Sequence, residues 1–260
     1  MISPAAEKER AGNGKTKTDG KICGPAPVRT KYETADAGTR ERTLTMKKYD
    51  VILFDLDGTL LDSLEDMKNS VNHVMRLFGY PEHTLDEVRS YIGNGIRKLI
   101  ERSLPADAGA ETVEKALAEY RRYYDGHCMI CTHPYPGIPE LLKELKERGF
   151  LLAVVTNKNH EAAEAMCSRY FPGIFSVVLG QRDSMPKKPD SAMVSAAMDR
   201  LDAADRKAVY IGDSEVDILT AENAGIDGII CLWGFREESF LRERGARVTV
   251  SRAEEIAALV

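Results

Sequence analysis

From Pro134 onward, short apolar runs alternate with segments of helical period, and this alternation restricts the fold more than any other property of the chain. Phe150 to Val155, Phe175 to Leu179, Ala208 to Ile211 and Gly228 to Leu232 read as strands. Helices are expected around Ile138, Leu141, Leu142 and Leu145, then at Ala162 to Arg169, Ser191 to Leu201 and Glu215 to Ala224, with weaker elements to Val260. A strand, a crossover helix and a second strand form a right-handed βαβ unit, so their repetition predicts a parallel sheet in an α/β fold. Ligands of such sheets bind at the C-terminal strand ends.

Another strand is expected upstream, at Tyr49 to Phe54, and it runs directly into Asp55-Leu56-Asp57-Gly58-Thr59. Residues two apart in an extended chain face the same way, so both carboxylates can address one site. The following Gly-Thr allows a sharp turn that aims backbone N–H groups at an anion. That layout suits phosphate chemistry. An isolated Asp-x-Asp is more often a strand end with solvated acids, so the reading depends on partners elsewhere in the chain.

Between this strand and Pro134 the period is helical throughout. Asp62-Ser63 are expected N-cap residues for a helix carrying Leu64, Met67, Val71, Val74, Met75 and Phe78, stopped by Gly79 and Pro81. Thr84-Leu85-Asp86-Glu87 is a capping box for a shorter helix through Ile92. Gly93-Asn94-Gly95 breaks it, and helices near Ile96 to Leu104 and Ala110 to Tyr124 follow. The expected organisation is a tail over residues 1–45, a catalytic core over 46–63 and 134–260, and a helical cap over 64–133.

The tail holds nine Lys/Arg and six Asp/Glu with few large apolar side chains, the composition of a disordered segment. Met46 is expected to be the start of translation with the tail an extension, a partner-binding arm being the alternative. The formal charge is -5, and because the tail is net basic the rest is more acidic still, which argues against a nucleic-acid partner. No run of about 18 to 20 apolar residues suggests a membrane partner. The N-terminus has no apolar signal core, so a cytoplasmic location is expected. The five cysteines, Cys23, Cys128, Cys131, Cys167 and Cys231, are an odd and scattered set, expected as free thiols. The CxxC spacing of Cys128 and Cys131 beside His127 and His133 could suit zinc, but four ligands within seven residues are cramped, and a partly buried junction is the favoured reading.

Polar signatures follow the later strands: Thr156-Asn157, then Lys187-Lys188-Pro189, then Gly212-Asp213-Ser214-Glu215-Val216-Asp217. Singly each is a cap, a solvated lysine or a turn. In this order, behind Asp55 and Asp57, they resemble the four motifs of the haloacid dehalogenase-like hydrolase superfamily. The resemblance implies a Rossmann-like three-layer sandwich with a helical cap inserted after the first motif. It implies Asp55 as the nucleophile that carries the phosphoryl group and Asp57 as the acid and base. Thr156 would bind the phosphoryl oxygens with help from Asn157 and the Gly58 turn. Lys188, or Lys187 if the loop register differs, would neutralise charge and orient Asp55. Mg²⁺ would be held by Asp55, Asp213 and the backbone carbonyl of Asp57, with Asp217 behind them.

An acid at Asp57 favours phosphatase over dehalogenase chemistry. Tyr91-Ile92-Gly93-Asn94-Gly95, Pro134-Tyr135-Pro136-Gly137, Thr156-Asn157-Lys158, Lys187-Lys188-Pro189, the Gly212 to Asp217 run and Trp233-Gly234-Phe235 together narrow the likeness to the phosphoglycolate phosphatase family. The expected substrate is a small phosphorylated metabolite, 2-phosphoglycolate first, with a β-phosphoglucomutase-like mutase or a pyrophosphatase or nucleotidase as alternatives. Asn94 and Arg97 are the candidates for contact with the substrate from the cap, and a helix break with a solvated arginine is the equal alternative.

Overall fold

The computed structural model describes residues 47–93 and 95–260. The expected tail, Met46, Cys23 and Asn94 lie outside the described residues. The elements, in order, are β1 (Val51–Phe54), β2 (Leu61–Asp62), α1 (Leu64–Phe78), α2 (Leu85–Tyr91), α3 (Ile96–Ser103), α4 (Ala110–His127) and β3 (His133–Pro134). Then follow α5 (Ile138–Glu147), β4 (Leu151–Asn159), α6 (His160–Tyr170), β5 (Val177–Gln181), α7 (Ala192–Arg200), β6 (Ala208–Gly212), α8 (Glu215–Ala224), β7 (Asp227–Cys231), α9 (Glu238–Glu243), β8 (Thr249–Val250) and α10 (Ala253–Leu259).

Among the described residues one parallel sheet has the order β5-β4-β1-β6-β7-β8. All four residues of β1 are buried, as expected of a strand covered on both faces. Alternation divides them: Ile52 and Phe54 join the core that also holds Leu152, Val154 and Ile211, while Val51 and Leu53 join the one with Val155, Tyr210 and Met193. Helices therefore cover both faces in a Rossmann-like three-layer α/β sandwich. The chain leaves β1 towards β4 and β5 on one side and returns through β6 to β8 on the other, so the order reverses beside β1 and a crevice opens at its C-terminal end.

The insertion of α1 to α4 follows β1. Its base is a two-residue antiparallel ladder, Leu61 opposite Pro134 and Asp62 opposite His133, too short to carry a period visible in sequence. Gly79 in the left-handed region ends α1 and Thr84 with Glu87 forms the expected capping box of α2. Ser63 occupies the N-cap of α1 but its hydroxyl is diverted to Asp57 at 2.6 Å, and the Asp62 carboxylate accepts the Leu64 N–H at 3.2 Å instead.

Buried Asp66 on α1 organises the CxxC segment by accepting N–H bonds from Ile130, Cys131 and Thr132 (2.8 to 3.1 Å) and the Thr132 hydroxyl. The His127 ring meets the Tyr123 carbonyl and the His133 ring the Cys131 carbonyl. The four cysteines among the described residues are free.

One strand departs from expectation in a way that matters for the site. β4 does not stop at Val155 but continues to Asn159, with an irregular register against β5 between those residues. Thr156, Asn157 and Lys158 are thus held on a strand end, and the buried Thr156 and Lys158, two apart, share a face.

Candidate active site

Two clusters of charge converge at the C-terminal ends of β1, β4 and β6. In the first, Lys188 Nζ is nearly unexposed and lies 3.0 Å from Asp55 Oδ1, 2.7 Å from Asp217 Oδ1 and 2.9 Å from the Tyr210 hydroxyl. The Tyr210 hydroxyl donates to the Val155 carbonyl at 2.6 Å, which fixes its oxygen to receive the ammonium. Burial alone would depress the Lys188 pKa, but Asp217 and Asp55 outweigh it and hold the ammonium well above its ordinary range. Burial pushes the Asp55 carboxyl up to about 6, against the pull of Lys188, with the charge of Asp217 adding to the rise and the Thr156 hydroxyl opposing it. Burial, then Asp217 and Asp55, push Asp213 well above the carboxylate range.

Asp217 commits both oxygens to the protein. Oδ1 takes Lys188, and Oδ2 takes the Ser214 N–H, the Ser214 hydroxyl and the Asp213 N–H at 2.6 to 3.2 Å. Asp213 accepts the Thr59 hydroxyl at 3.1 Å and the Phe235 N–H at 2.9 Å. Two glycines clear its position, since a Cβ at Gly58 or at Gly234 would collide with the Asp213 side chain. Gly58 also has φ +86, the left-handed region where side chains are strained.

Asp57 anchors the second cluster. Its Oδ1 accepts the Ser63 hydroxyl at 2.6 Å, and Lys158 Nζ lies 3.0 Å from each of its oxygens. The same ammonium donates to the Tyr124 hydroxyl on α4 at 2.7 Å, which joins insert and sheet. The Asp57 carboxylate, committed to Ser63 and Lys158, is not part of the acidic group formed by Asp55, Asp213 and Asp217.

Several expected site residues have other roles in the structure. The Gly58 N–H is not presented to an anion; it closes the turn on the Leu61 carbonyl at 2.9 Å. Asn157 clamps the Lys188 backbone, accepting its N–H at 2.8 Å and donating to its carbonyl at 3.0 Å, so its amide is committed to the loop that carries the lysine. Arg97 does not reach the site. It pairs with Glu114 at 2.8 Å across α3 and α4, half exposed, because its position on α3 faces α4 rather than the crevice. Lys187 is exposed whereas Lys188 is buried, which separates the two alternatives geometrically.

In sequence Lys158 belongs to the Thr156-Asn157-Lys158 stretch of the family likeness but carries no role of its own, and Arg236 does not figure at all. Lys158 stands two residues after Thr156 on a strand, and that spacing was the available signal. Arg236 follows β7, pairs with Glu215 at 2.9 Å and donates to the Ile92 carbonyl at the end of α2. Nothing in the local pattern distinguishes it from a solvated arginine.

Both clusters line one cavity of about 140 Å³, roofed by Met67, Ile96, Leu99 and Tyr120 of the insert. This is small beside the ~300–1,000 Å³ of an ordinary ligand pocket. Asp55, Asp213 and Asp217 offer oxygens within 4.8 Å of one another. Three buried acids face one lysine, and Asp55 Oδ1, although close to Lys188, has no aligned hydrogen bond. Oxygen-only donors with excess negative charge and an unsatisfied atom fit a hard divalent cation such as Mg²⁺.

The family model of the haloacid dehalogenase-like hydrolases matches residues 52–231. The chain is 36% identical over 186 residues to phosphoglycolate phosphatase of Aquifex aeolicus (strain VF5), covering 71% of this chain and 85% of that protein. It is likewise 36% identical to phosphoglycolate phosphatase of Neisseria meningitidis serogroup A, over 75% of this chain and 85% of the relative. Among solved structures, a haloacid dehalogenase-like hydrolase of Streptococcus pneumoniae superposes with a TM-score of 0.73 at 26% identity, covering 81% of this chain and 98% of that one. The match runs from β1 through β7, across both clusters and the insert between them, and the chain belongs to the haloacid dehalogenase-like hydrolase family.

Proposed function

We propose that this enzyme, a phosphoric monoester hydrolase, acts with Mg²⁺ on small phosphorylated metabolites, 2-phosphoglycolate foremost, through an aspartyl phosphate on Asp55. The observation that carries the reading is the cavity itself, with buried Asp55, Lys188 and Asp213 at one end, Asp57 beside them, and room for only a small leaving group. The names of the Aquifex and Neisseria relatives point to the same substrate.

In this mechanism the Asp55 carboxylate attacks phosphorus and the bond to the ester oxygen breaks. Asp57 gives the departing alkoxide a proton, then takes one from the water that hydrolyses the acyl phosphate, returning Asp55 as carboxylate. Lys188 and the Thr156 hydroxyl hold the phosphoryl oxygens, and Asp217 with Tyr210 keeps Lys188 aimed. Asp55, Asp213 and the Asp57 carbonyl would hold Mg²⁺, which supplies positive charge against the phosphoryl oxygens. The insert serves as the cap that excludes water from the cavity. Among the described residues, no helix is long and apolar enough to cross a membrane.

The test is turnover of a panel of phosphate esters with and without Mg²⁺. Metal-dependent release of phosphate, fastest from 2-phosphoglycolate, is expected. Release unaffected by chelator, or conversion of β-glucose 1-phosphate to an isomer without release of phosphate, overturns the reading.

A further inference from the structure

With Arg97 outside the cavity, the proposed substrate has no assigned partner for the part of it that is not phosphate. The insert supplies no cation to the lining: its contributions there include Met67, Ile96, Leu99, Tyr120 and Tyr124. An anionic leaving group buried among such side chains needs a paired charge, since an isolated carboxylate is costly to desolvate. Beyond Lys188, two cations among the described residues line the cavity, Lys158 and Arg236, and both belong to the sheet layer.

The two differ in what they would give up. Arg236 is bound to the Glu215 carboxylate and to the Ile92 carbonyl, so turning it to a ligand strands a partly buried acid and undoes a contact with the insert. Lys158 has one charged partner, Asp57, and one neutral partner, the Tyr124 hydroxyl at 2.7 Å. Exchanging that hydroxyl for a carboxylate strands no charge. The freed Tyr124 O–H can then donate to the same carboxylate. Position agrees: in the mechanism above Asp57 serves the leaving oxygen, and the Lys158 ammonium lies 3.0 Å from each Asp57 oxygen in the lining of the same cavity.

Resting on the phosphatase reading above, we propose that Lys158, with Tyr124, is the specificity-determining pair that recognises an anionic leaving group, a carboxylate attached directly to the ester carbon. The lysine comes from β4 and the tyrosine from α4, so the subsite is complete only when the insert is seated on the sheet.

The test compares 2-phosphoglycolate with 2-hydroxyethyl phosphate, which has the same two-carbon backbone without the charge, in the full-length Mg²⁺-loaded enzyme. Wild type is expected to prefer phosphoglycolate in kcat/KM. Lys158→Met is expected to lose on the order of 10- to 100-fold more on phosphoglycolate than on the neutral ester, chiefly through KM. Lys158→Arg, which keeps the charge, should retain the preference, and Tyr124→Phe should reduce it by a smaller factor. Equal losses on both substrates in Lys158→Met would show that the lysine acts only by placing Asp57 and overturn the proposal. A selective loss in Arg236→Met but not in Lys158→Met would overturn it too. If Lys158→Met does not fold, Lys158→Gln and Tyr124→Phe carry the same comparison. A wild type that turns over neither ester fails the phosphatase reading itself, an outcome distinct from these.

Discussion

The cavity is lined by two buried lysines, Lys188 and Lys158, and their surroundings differ. Lys188, from the loop that follows β5, faces Asp55 and Asp217 with Asp213 beside them, acids that follow β1, stand on α8 and follow β6 respectively. Lys158 faces Asp57 alone and shares its third contact with Tyr124 of the insert. The first cluster holds more acids than cations and has the oxygen donors that could hold a metal ion. The second is balanced and can exchange a neutral partner for a ligand. Chemistry common to a family can thus reside in the rigid sheet, while choice of leaving group resides where the insert meets it.

The contrast breaks if the unbalanced end tolerates loss of its acids. Asp55→Asn is expected to lower turnover by on the order of 10⁴-fold or more without unfolding the protein, because an amide cannot form the acyl phosphate yet keeps the shape of the site. Single-turnover phosphate release beside a thermal melt checks this, and residual activity near the wild-type level in a clean preparation removes Asp55 as nucleophile. Asp57→Asn is expected to cost ~10²–10⁴-fold in kcat, the usual range for acid–base groups. A rapid burst of one phosphate per enzyme is not expected from it on esters with poor leaving groups.

Lys188→Met should destabilise the metal-free protein by ~3–5 kcal/mol, since it leaves buried acids without their cation. A chemical denaturation curve measures the loss, and a change below about 1 kcal/mol would mean that Asp55 and Asp217 do not depend on Lys188 for their burial.

The balance also sets a pH dependence. The Asp55 carboxyl is held at about 6, above its ordinary value, so the folded metal-free protein binds more protons than the unfolded chain. The stability this contributes is complete below the ordinary carboxylate range and is lost as pH rises through about 6. Protons compete with Mg²⁺ for the same oxygens, so the rise in melting temperature on adding Mg²⁺ should be larger at pH 7.5 than at pH 5. A shift independent of pH would separate the cation from Asp55.

The smallest effect is expected at Arg97→Ala, with no resolvable change in kcat/KM for either 2-phosphoglycolate or p-nitrophenyl phosphate, because the half-exposed pair with Glu114 lies away from the cavity. A loss selective for phosphoglycolate would bring Arg97 back into the site.

The sequence by itself determined the sheet and the unbalanced end. Strand and helix periods are local, a parallel strand buried on both faces is written as an apolar run, and Asp55, Thr156, Lys188 and Asp213 each stand at or near the end of such a run, where the topology gathers them. Tertiary structure decided the other end. Whether Arg97 faces the crevice or α4 depends on how α3 rolls against its neighbour, and the 3.6-residue period does not record that roll. Lys158 takes its place beside Thr156 because β4 continues through Asn159 instead of ending at Val155, its pairing with β5 resuming at Asn159 opposite Gln181 after an irregular stretch. Its partner Tyr124 lies 34 positions away on α4, and Arg236 meets the insert across 144. Contacts at such separations arise from packing two layers together, and no local pattern along the chain encodes them.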